Sequence, residues 1–387
     1  MLSFTLLLSI VSLIIWVALT FFRGAFWQLH AFNDDLVPPR QLQEWPAVVA
    51  IVPARNESAT IERTVESLLL QDYPGKFELV VVDDHSVDGT AELARRAAEK
   101  LQGSQRVTTI TANELPIGWT GKLWALQQGV EEISGDSVEY LWFTDADIVH
   151  ALDTLRRLVS RAEEHKLDLT SLMVLLQAKS FAERLLMPAF LYFFLKLYPP
   201  RWIADPKSGT AGAAGGCILL RRTALERIGW LTTIRSEVID DCALARAVEK
   251  MGGAIWMGLT RKSVSLRSYD SFGEIRDLIA RTAFTQLRYS AALLIGTLVG
   301  MLLTYVAPVV LTFSGQTMVW RLSLTAWALM AFTYLPTVRF YGLSPLWAPL
   351  LPAAAVFYSY ATWLSAARYW LGRGGQWKGR TQAARNV

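Results

Sequence analysis

Two cysteines in 387 residues are too few for a disulfide framework. Cys217 and Cys242 stand in unlike contexts and read as buried, reduced thiols. Acidic residues are missing from one end of the chain. None occurs after Asp277, where nine basic residues run from Arg281 to Arg385. The formal net charge of +4 therefore misleads: the first 277 residues carry 29 basic against 34 acidic side chains, a balance of −5. Basic character placed this way suits anionic lipid on a cytoplasmic face, and no segment resembles a nucleic-acid-binding module. Glycine is missing from one critical turn. The first apolar run of the soluble part ends in "PARNES" (53–58), without the G-x-G-x-x-G that a dinucleotide-binding fold needs directly after its first strand. That fold is excluded. Internal repeats and low-complexity segments are absent too.

Charge itself is missing from four stretches: Met1–Phe22, Ala291–Phe313, Leu322–Val338 and Trp347–Ala367. Roughly 17–25 apolar residues suffice to span a bilayer. Together with 52% hydrophobic residues and a mean hydropathy of +0.27, they predict a multi-pass membrane protein. The first stretch lacks a basic n-region and an A-x-A site, and its apolar run is too long for a signal peptide, so 1–22 reads as an uncleaved anchor. Arg23 follows it directly, which places the soluble part in the cytoplasm, at the inner membrane. A linker (23–45), a soluble domain (46–289), membrane segments (290–371) and a basic tail (372–387) complete the expected organisation. Three C-terminal spans would put the tail outside, whereas five basic and no acidic residues in 368–387 favour the cytoplasm. Pro349 and Pro352 predict a broken or re-entrant last segment. Residues 181–203 are strongly aromatic but too short in their uncharged core to span. They read as an interfacial helix with Lys196 and Arg201 reaching headgroups, or as an ordinary core helix.

The soluble part alternates unbroken apolar runs with helical stretches. "AVVAIVPARNES" (47–58), "FELVVVDDHSVDGT" (77–90), "VTTITAN" (107–113) and "YLWFTDADIV" (140–149) flank helices at Ala59–Leu70, Thr90–Leu101 and Lys122–Ile133. That pattern predicts an α/β fold with a mostly parallel sheet covered on both faces. In such sheets ligands bind at the carboxyl ends of the strands, where the polar residues here collect.

Three carboxylate clusters lie at strand ends or helix starts: Asp83/Asp84, Asp145/Asp147 and Asp240/Asp241. Like charges so close need a cation. A hard divalent ion such as Mg2+ or Mn2+ takes oxygen ligands from one or two carboxylates and completes its shell with phosphate. Asp145-Ala146-Asp147 suits that task. Asp88 reads as a helix cap. Gly118, Gly121 and Lys122 precede a helix, a placement that suits phosphate or sugar. "SGTAGAAGG" (208–216), including Gly215 and Gly216, lets a ligand approach the backbone. Asp240 and Asp241 open an amphipathic helix; the dipole accounts for one, and the pair beside the glycine-rich segment suits a general base.

"VPARNE", "VDDHSVDGT", "TDAD", "GAAGGCILLRR" and the Asp-Asp helix, in this order, resemble family 2 glycosyltransferases, inverting enzymes of the GT-A fold, over Ala47–Tyr289. The anchors, "GWTGKLWA" and "RTAFTQLRYS" look most like the hopene-associated glycosyltransferase group, and more distantly like ceramide glucosyltransferases. The resemblance implies a nucleotide-sugar donor, expected to be UDP-linked, and a lipid acceptor. It implies Pro53, Arg55, Glu57, Asp84, Lys122 and Asp145 at the nucleotide-sugar, with Asp147 the direct metal ligand and Asp145 beside it. Asp241 would be the base, with Asp240, Gly215, Gly216 and Gln286 around the acceptor. Arg288 would clamp the diphosphate, with Arg281 as the alternative; Thr285 and Tyr289 depart from the family's Gln/Arg-x-x-Arg-Trp. Other readings are a polyprenyl-phosphate glycosyltransferase, a processive polysaccharide synthase, and a non-catalytic membrane scaffold.

Overall fold

The computed structural model describes residues 3–133 and 137–372, with the backbone of 376–377 and 380–381. Most of the expected basic tail lies outside the described residues. Packing divides the chain into an α/β unit (32–176, 202–267, 376–387) and a helical unit (1–31, 177–201, 268–375).

In chain order the helices are α1 (Phe4–Phe22), α2 (Ile61–Leu69), α3 (Thr90–Lys100), α4 (Gly121–Glu131), α5 (Thr154–Glu164), α6 (Phe181–Leu197) and α7 (Pro200–Ile203). They continue with α8 (Arg222–Arg227), α9 (Asp240–Lys250), α10 (Phe272–Gln286), α11 (Ala291–Met301), α12 (Ala307–Leu311), α13 (Thr317–Phe340) and α14 (Leu351–Trp370). Strands β1 (Ala47–Ala54), β2 (Phe77–Asp83), β3 (Val107–Thr111), β4 (Val138–Thr144), β5 (Ile148–His150), β6 (Leu169–Leu175), β7 (Cys217–Arg221) and β8 (Ile255–Ser265) form one sheet.

The sheet order is β3-β2-β1-β4-β7-β6-β8-β5. β7 runs antiparallel to β4 and β6, and β5 antiparallel to β8; the other pairings are parallel. The expected mostly parallel sheet is therefore present. Side chains alternate across a strand. Val48, Ala50 and Val52 of β1 join the core formed with α2, α3 and α5. On the opposite face α4 comes close enough that a Cβ on Gly129 would stand 2.4 Å from Ile51 Cγ2. The chain winds outward through β2 and β3, then returns to place β4 on the other side of β1. That reversal opens a crevice beyond the ends of β1 and β4.

Part of the linker is anchored by ion pairs. Asp34, 4% exposed, accepts from Arg157 Nε at 3.1 Å and pairs with Arg161 Nη2 at 2.7 Å. Two guanidiniums on one buried carboxylate fix this segment to α5.

In the helical unit, among the described residues, four helices are long and apolar enough to cross a membrane: Phe4–Phe22, Ala291–Leu311, Thr317–Phe340 and Pro345–Trp370. The last is not broken. Pro349 lies in the 3-10 turn Pro345–Leu350 that leads into α14, and Pro352 in the first turn of α14, where a missing N–H leaves no ladder bond unmade. Between α11 and α12, Leu302–Val306 form a π-turn. Ser12 Oγ and Trp16 Nε1 of α1 donate to Leu303 O and Thr304 O there, both at 2.7 Å.

The contiguous soluble domain expected over 46–289 is divided. α6 packs against α13 and α14, and α10 against α14, so both belong to the helical unit. The cause is apolar burial: Leu186, Tyr192 and Leu195 of α6 and Phe284 of α10 are almost fully enclosed. Lys196 and Arg201, expected to reach headgroups, have protein partners instead. Lys196 Nζ donates to Tyr305 Oη at 2.8 Å and Arg201 Nη2 to Gln28 Oε1 at 3.0 Å.

Candidate active site

The two turns after β1 and β2 are laced together before any ligand is considered. Asn56 N donates to Ser86 Oγ at 2.9 Å, Glu57 N to Thr90 Oγ1 at 2.8 Å, and Ser58 N to Asp88 Oδ2 at 3.0 Å. Asp88 Oδ1 also accepts the Thr90 amide, but from one residue before the helix cap: the N-cap of α3 is Gly89, in the left-handed region, so the expected capping position of Asp88 is displaced by one. Arg55 donates to the Asp84 carbonyl oxygen and lies 3.4 Å from Asp84 Oδ2, with Asp84 only 1% exposed.

β4 delivers Asp145 and Asp147 beyond its last residue, Thr144. Thr144 Oγ1 donates to Gly216 O at 2.9 Å, which holds the glycine-rich segment ahead of β7 against this turn. α9 opens with Asp240 and Asp241. The Gly215 amide donates to Asp241 Oδ2 at 2.8 Å and the Cys242 amide to Asp241 Oδ1 at 2.7 Å. A Cβ on Gly215 would stand 3.3 Å from both Asp241 Oδ2 and Lys122 Nζ, so glycine permits this approach. Pro53, Lys122, Asp145, Gly215, Asp240 and Asp241 line one pocket.

Two cations bridge the carboxylates. Lys122, in the first turn of α4, reaches Asp145 Oδ1 at 2.8 Å and Asp240 Oδ2 at 3.2 Å. Arg267, two residues past the end of β8, reaches Glu57 Oε1 at 2.8 Å and Asp147 Oδ2 at 3.2 Å. Ser265 Oγ adds a 3.3 Å bond to the same Asp147 oxygen. The adjacent aspartates thus have separate counter-ions. Asp145 lines the pocket with Asp241, whereas Asp147 faces Arg267.

Burial pushes the Asp241 carboxyl up to about 6; Asp240 adds repulsion, while Lys122 and the two amides pull the other way. Asp145 is raised by burial as well, against the pull of Lys122. Burial disfavours the Lys122 charge, but Asp145 and Asp240 outweigh it and raise its pKa. Among the described residues no group of three or more His, Cys, Asp or Glu could cage a metal. A donor set limited to the oxygens of Asp145 and Asp147 fits a hard divalent ion that draws its remaining ligands from phosphate and water.

Of the expected site residues, Gln286 and Arg288 belong to the helical unit, as does Arg281. Gln286 Nε2 donates to Tyr198 Oη at 2.7 Å, and Arg288 follows α10 with φ 52°. Arg267 and Ser265 escaped the sequence reading. Their signal is positional, an Arg following a strand that ends at the same rim as β4. The polar run Thr260–Ser263 hides that strand.

Residues 49–229 match the family described as Glycosyl transferase family 2. A probable glycosyltransferase, YdaM of Bacillus subtilis, is 30% identical over 131 residues, 32% of this chain and 30% of that protein. The beta-monoglucosyldiacylglycerol synthase of a Nostoc species is 30% identical over 148 residues, 36% of this chain and 29% of that protein. The chain thus spans about a third of the length of these relatives. Among solved structures, the mannosyltransferase PcManGT of Pyrobaculum calidifontis, in complex with GDP-Man and Mn2+, superposes with a TM-score of 0.57 at 21% identity. The superposition covers 91% of this chain and 99% of that one. The α/β unit has the GT-A fold, and residues 49–229 are similar to Glycosyl transferase family 2.

Proposed function

We propose that this protein, similar to Glycosyl transferase family 2 over residues 49–229, is a membrane-bound inverting glycosyltransferase. It moves a sugar from a UDP-linked or similar nucleotide-sugar to a hydroxyl of a lipid. The carrying observation is Asp241. It is a carboxylate fixed by two backbone amides, with its pKa raised toward neutrality, in one pocket with Asp145. A base of that pKa is half-ready at pH 6 and ionised at pH 7.5, which suits removal of a proton from an attacking hydroxyl.

The steps follow from the residues. The acceptor oxygen attacks the anomeric carbon from the face opposite the diphosphate while Asp241 takes its proton. The carbon–phosphate oxygen bond breaks, and configuration inverts. Pro53, Arg55, Glu57 and Asp84 hold the nucleoside on the laced turns. Asp145 and Asp147 would hold a divalent ion, which when bound offsets charge on the leaving diphosphate. Lys122 sits where it can donate to the same diphosphate, and Arg288 is our candidate for a second donor. The acceptor arrives from the bilayer. Four helices of spanning length support that route, with the α/β unit on the cytoplasmic side of the inner membrane. A hopanoid hydroxyl is our candidate acceptor, supported by "GWTGKLWA" and "RTAFTQLRYS".

The test incubates membranes containing the protein with a panel of labelled nucleotide-sugars and extracts the lipid. Label should enter one lipid class, and Asp241→Asn should reduce transfer about 10²–10⁴-fold. Full transfer by Asp241→Asn would remove the base assignment and favour attack by a lipid phosphate.

A further inference from the structure

Each aspartate of the Asp-x-Asp turn is already engaged by a side-chain cation, and each cation also holds a second acid on another wall of the site. Lys122 ties Asp145 to Asp240 at the start of α9. Arg267 ties Asp147 to Glu57 in the turn after β1. A metal ion coordinated by these carboxylates must share or replace both contacts. An opposite charge in such contact favours the carboxylate's charged form and repels an arriving cation.

Displacing the two cations in the absence of another anion costs Lys122 its contact with Asp145 and Arg267 its contact with Asp147. A diphosphate changes that balance. Its oxygens are acceptors for an ammonium and for a planar guanidinium, and they also complete the metal's shell. We propose that Lys122 and Arg267 exchange their Asp145 and Asp147 contacts for diphosphate oxygens as the metal binds, so that metal and nucleotide enter as a unit. This makes Arg267 a diphosphate-contacting residue and gives Lys122 two successive partners. The inference rests on the nucleotide-sugar reading above.

Mn2+ binding to the full chain in detergent, followed by electron paramagnetic resonance with and without UDP or GDP, tests it. The wild type should bind Mn2+ weakly alone and at least about tenfold more tightly with the nucleotide. Lys122→Met and Arg267→Met should each bind Mn2+ alone about tenfold or more tightly than wild type. Each should also lose most of the gain that nucleotide gives. Two outcomes overturn the exchange. One is Mn2+ affinity alone that is unchanged in the variants; the other is an increase that leaves the nucleotide-dependent gain intact, which would make the two cations mere charged neighbours. Wild type alone is decisive if a variant fails to fold, because Mn2+ binding as tight without nucleotide as with it also overturns the exchange. If the wild type binds neither UDP nor GDP with Mn2+, the glycosyltransferase reading falls and the exchange with it.

Discussion

Asp241 is an acid kept where its charge is unwelcome. Its pKa is raised, so between the ordinary carboxyl range and about pH 6 the folded chain holds a proton that the unfolded chain has lost. Stability therefore falls as pH rises through that window and stays lower above it. Asp241→Asn carries no charge to desolvate. It should melt higher than wild type at pH 7.5, by about 1–2 kcal/mol, with the difference shrinking toward pH 4. Thermal melts across that range in detergent measure it, and a variant less stable at pH 7.5 would contradict the sign. With Asp241 as the proposed base, lipid labelling measured against pH should show an acidic limb rising through about pH 6. At this scale the sequence was generous with acids and poor with bases. Asp145, Asp240 and Asp241 were legible because each sits where a strand stops or a helix starts. Arg267 was not, because a lone arginine after a polar run carries no local pattern; its meaning lies in Glu57 and Asp147, 210 and 120 positions away.

The element that sets the site's floor is α4. Its first turn carries Lys122, and its last turn is pressed onto β1 and β2 at Gly129, where a Cβ would stand 2.4 Å from Ile51 Cγ2 and 3.1 Å from Val82 Cγ2. Gly129→Ala should force α4 outward and destabilise the fold by about 1–3 kcal/mol, despite the higher helix propensity of alanine. A lower melting temperature is the readout; an unchanged one would mean that α4 can shift freely. β1, β2, β4 and the helices α2, α3 and α4 were legible as runs and periodicities, within two residues at most ends. β7 and β8 were not. β7 follows the glycine-rich segment without a break in polarity. β8 is interrupted by Thr260–Ser263, whose polar groups find partners in Asp35 and Asp153. Such strands are stabilised by tertiary contacts, which composition does not display.

At the scale of the whole molecule, the four helices of spanning length among the described residues would alternate sides if each crosses the bilayer. Ser3 Oγ donates to Gln316 Oε1 at 3.5 Å, so the start of α1 and the start of α13 lie at one end of the helical unit. In the proposed topology, with the first helix entering the cytoplasm at Arg23, Gln316 would lie outside and Ser344 inside. A membrane-impermeant thiol reagent should label Gln316→Cys in intact cells and Ser344→Cys only after permeabilisation; the reverse pattern would invert the topology. The uncharged stretches announced these helices, but not that α6 and α10 join them, since their burial depends on neighbours far along the chain. The π-turn between α11 and α12 has its own consequence at this scale. Inside a bilayer no water is at hand to solvate a carbonyl turned out of the helical ladder. Ser12 and Trp16 act as that solvent for Leu303 and Thr304. The first helix is thus more than a hydrophobic weight that keeps the chain in the lipid: its hydroxyl and indole are permanent substitutes for two water molecules, and they tie the N-terminal helix to one register of the second span.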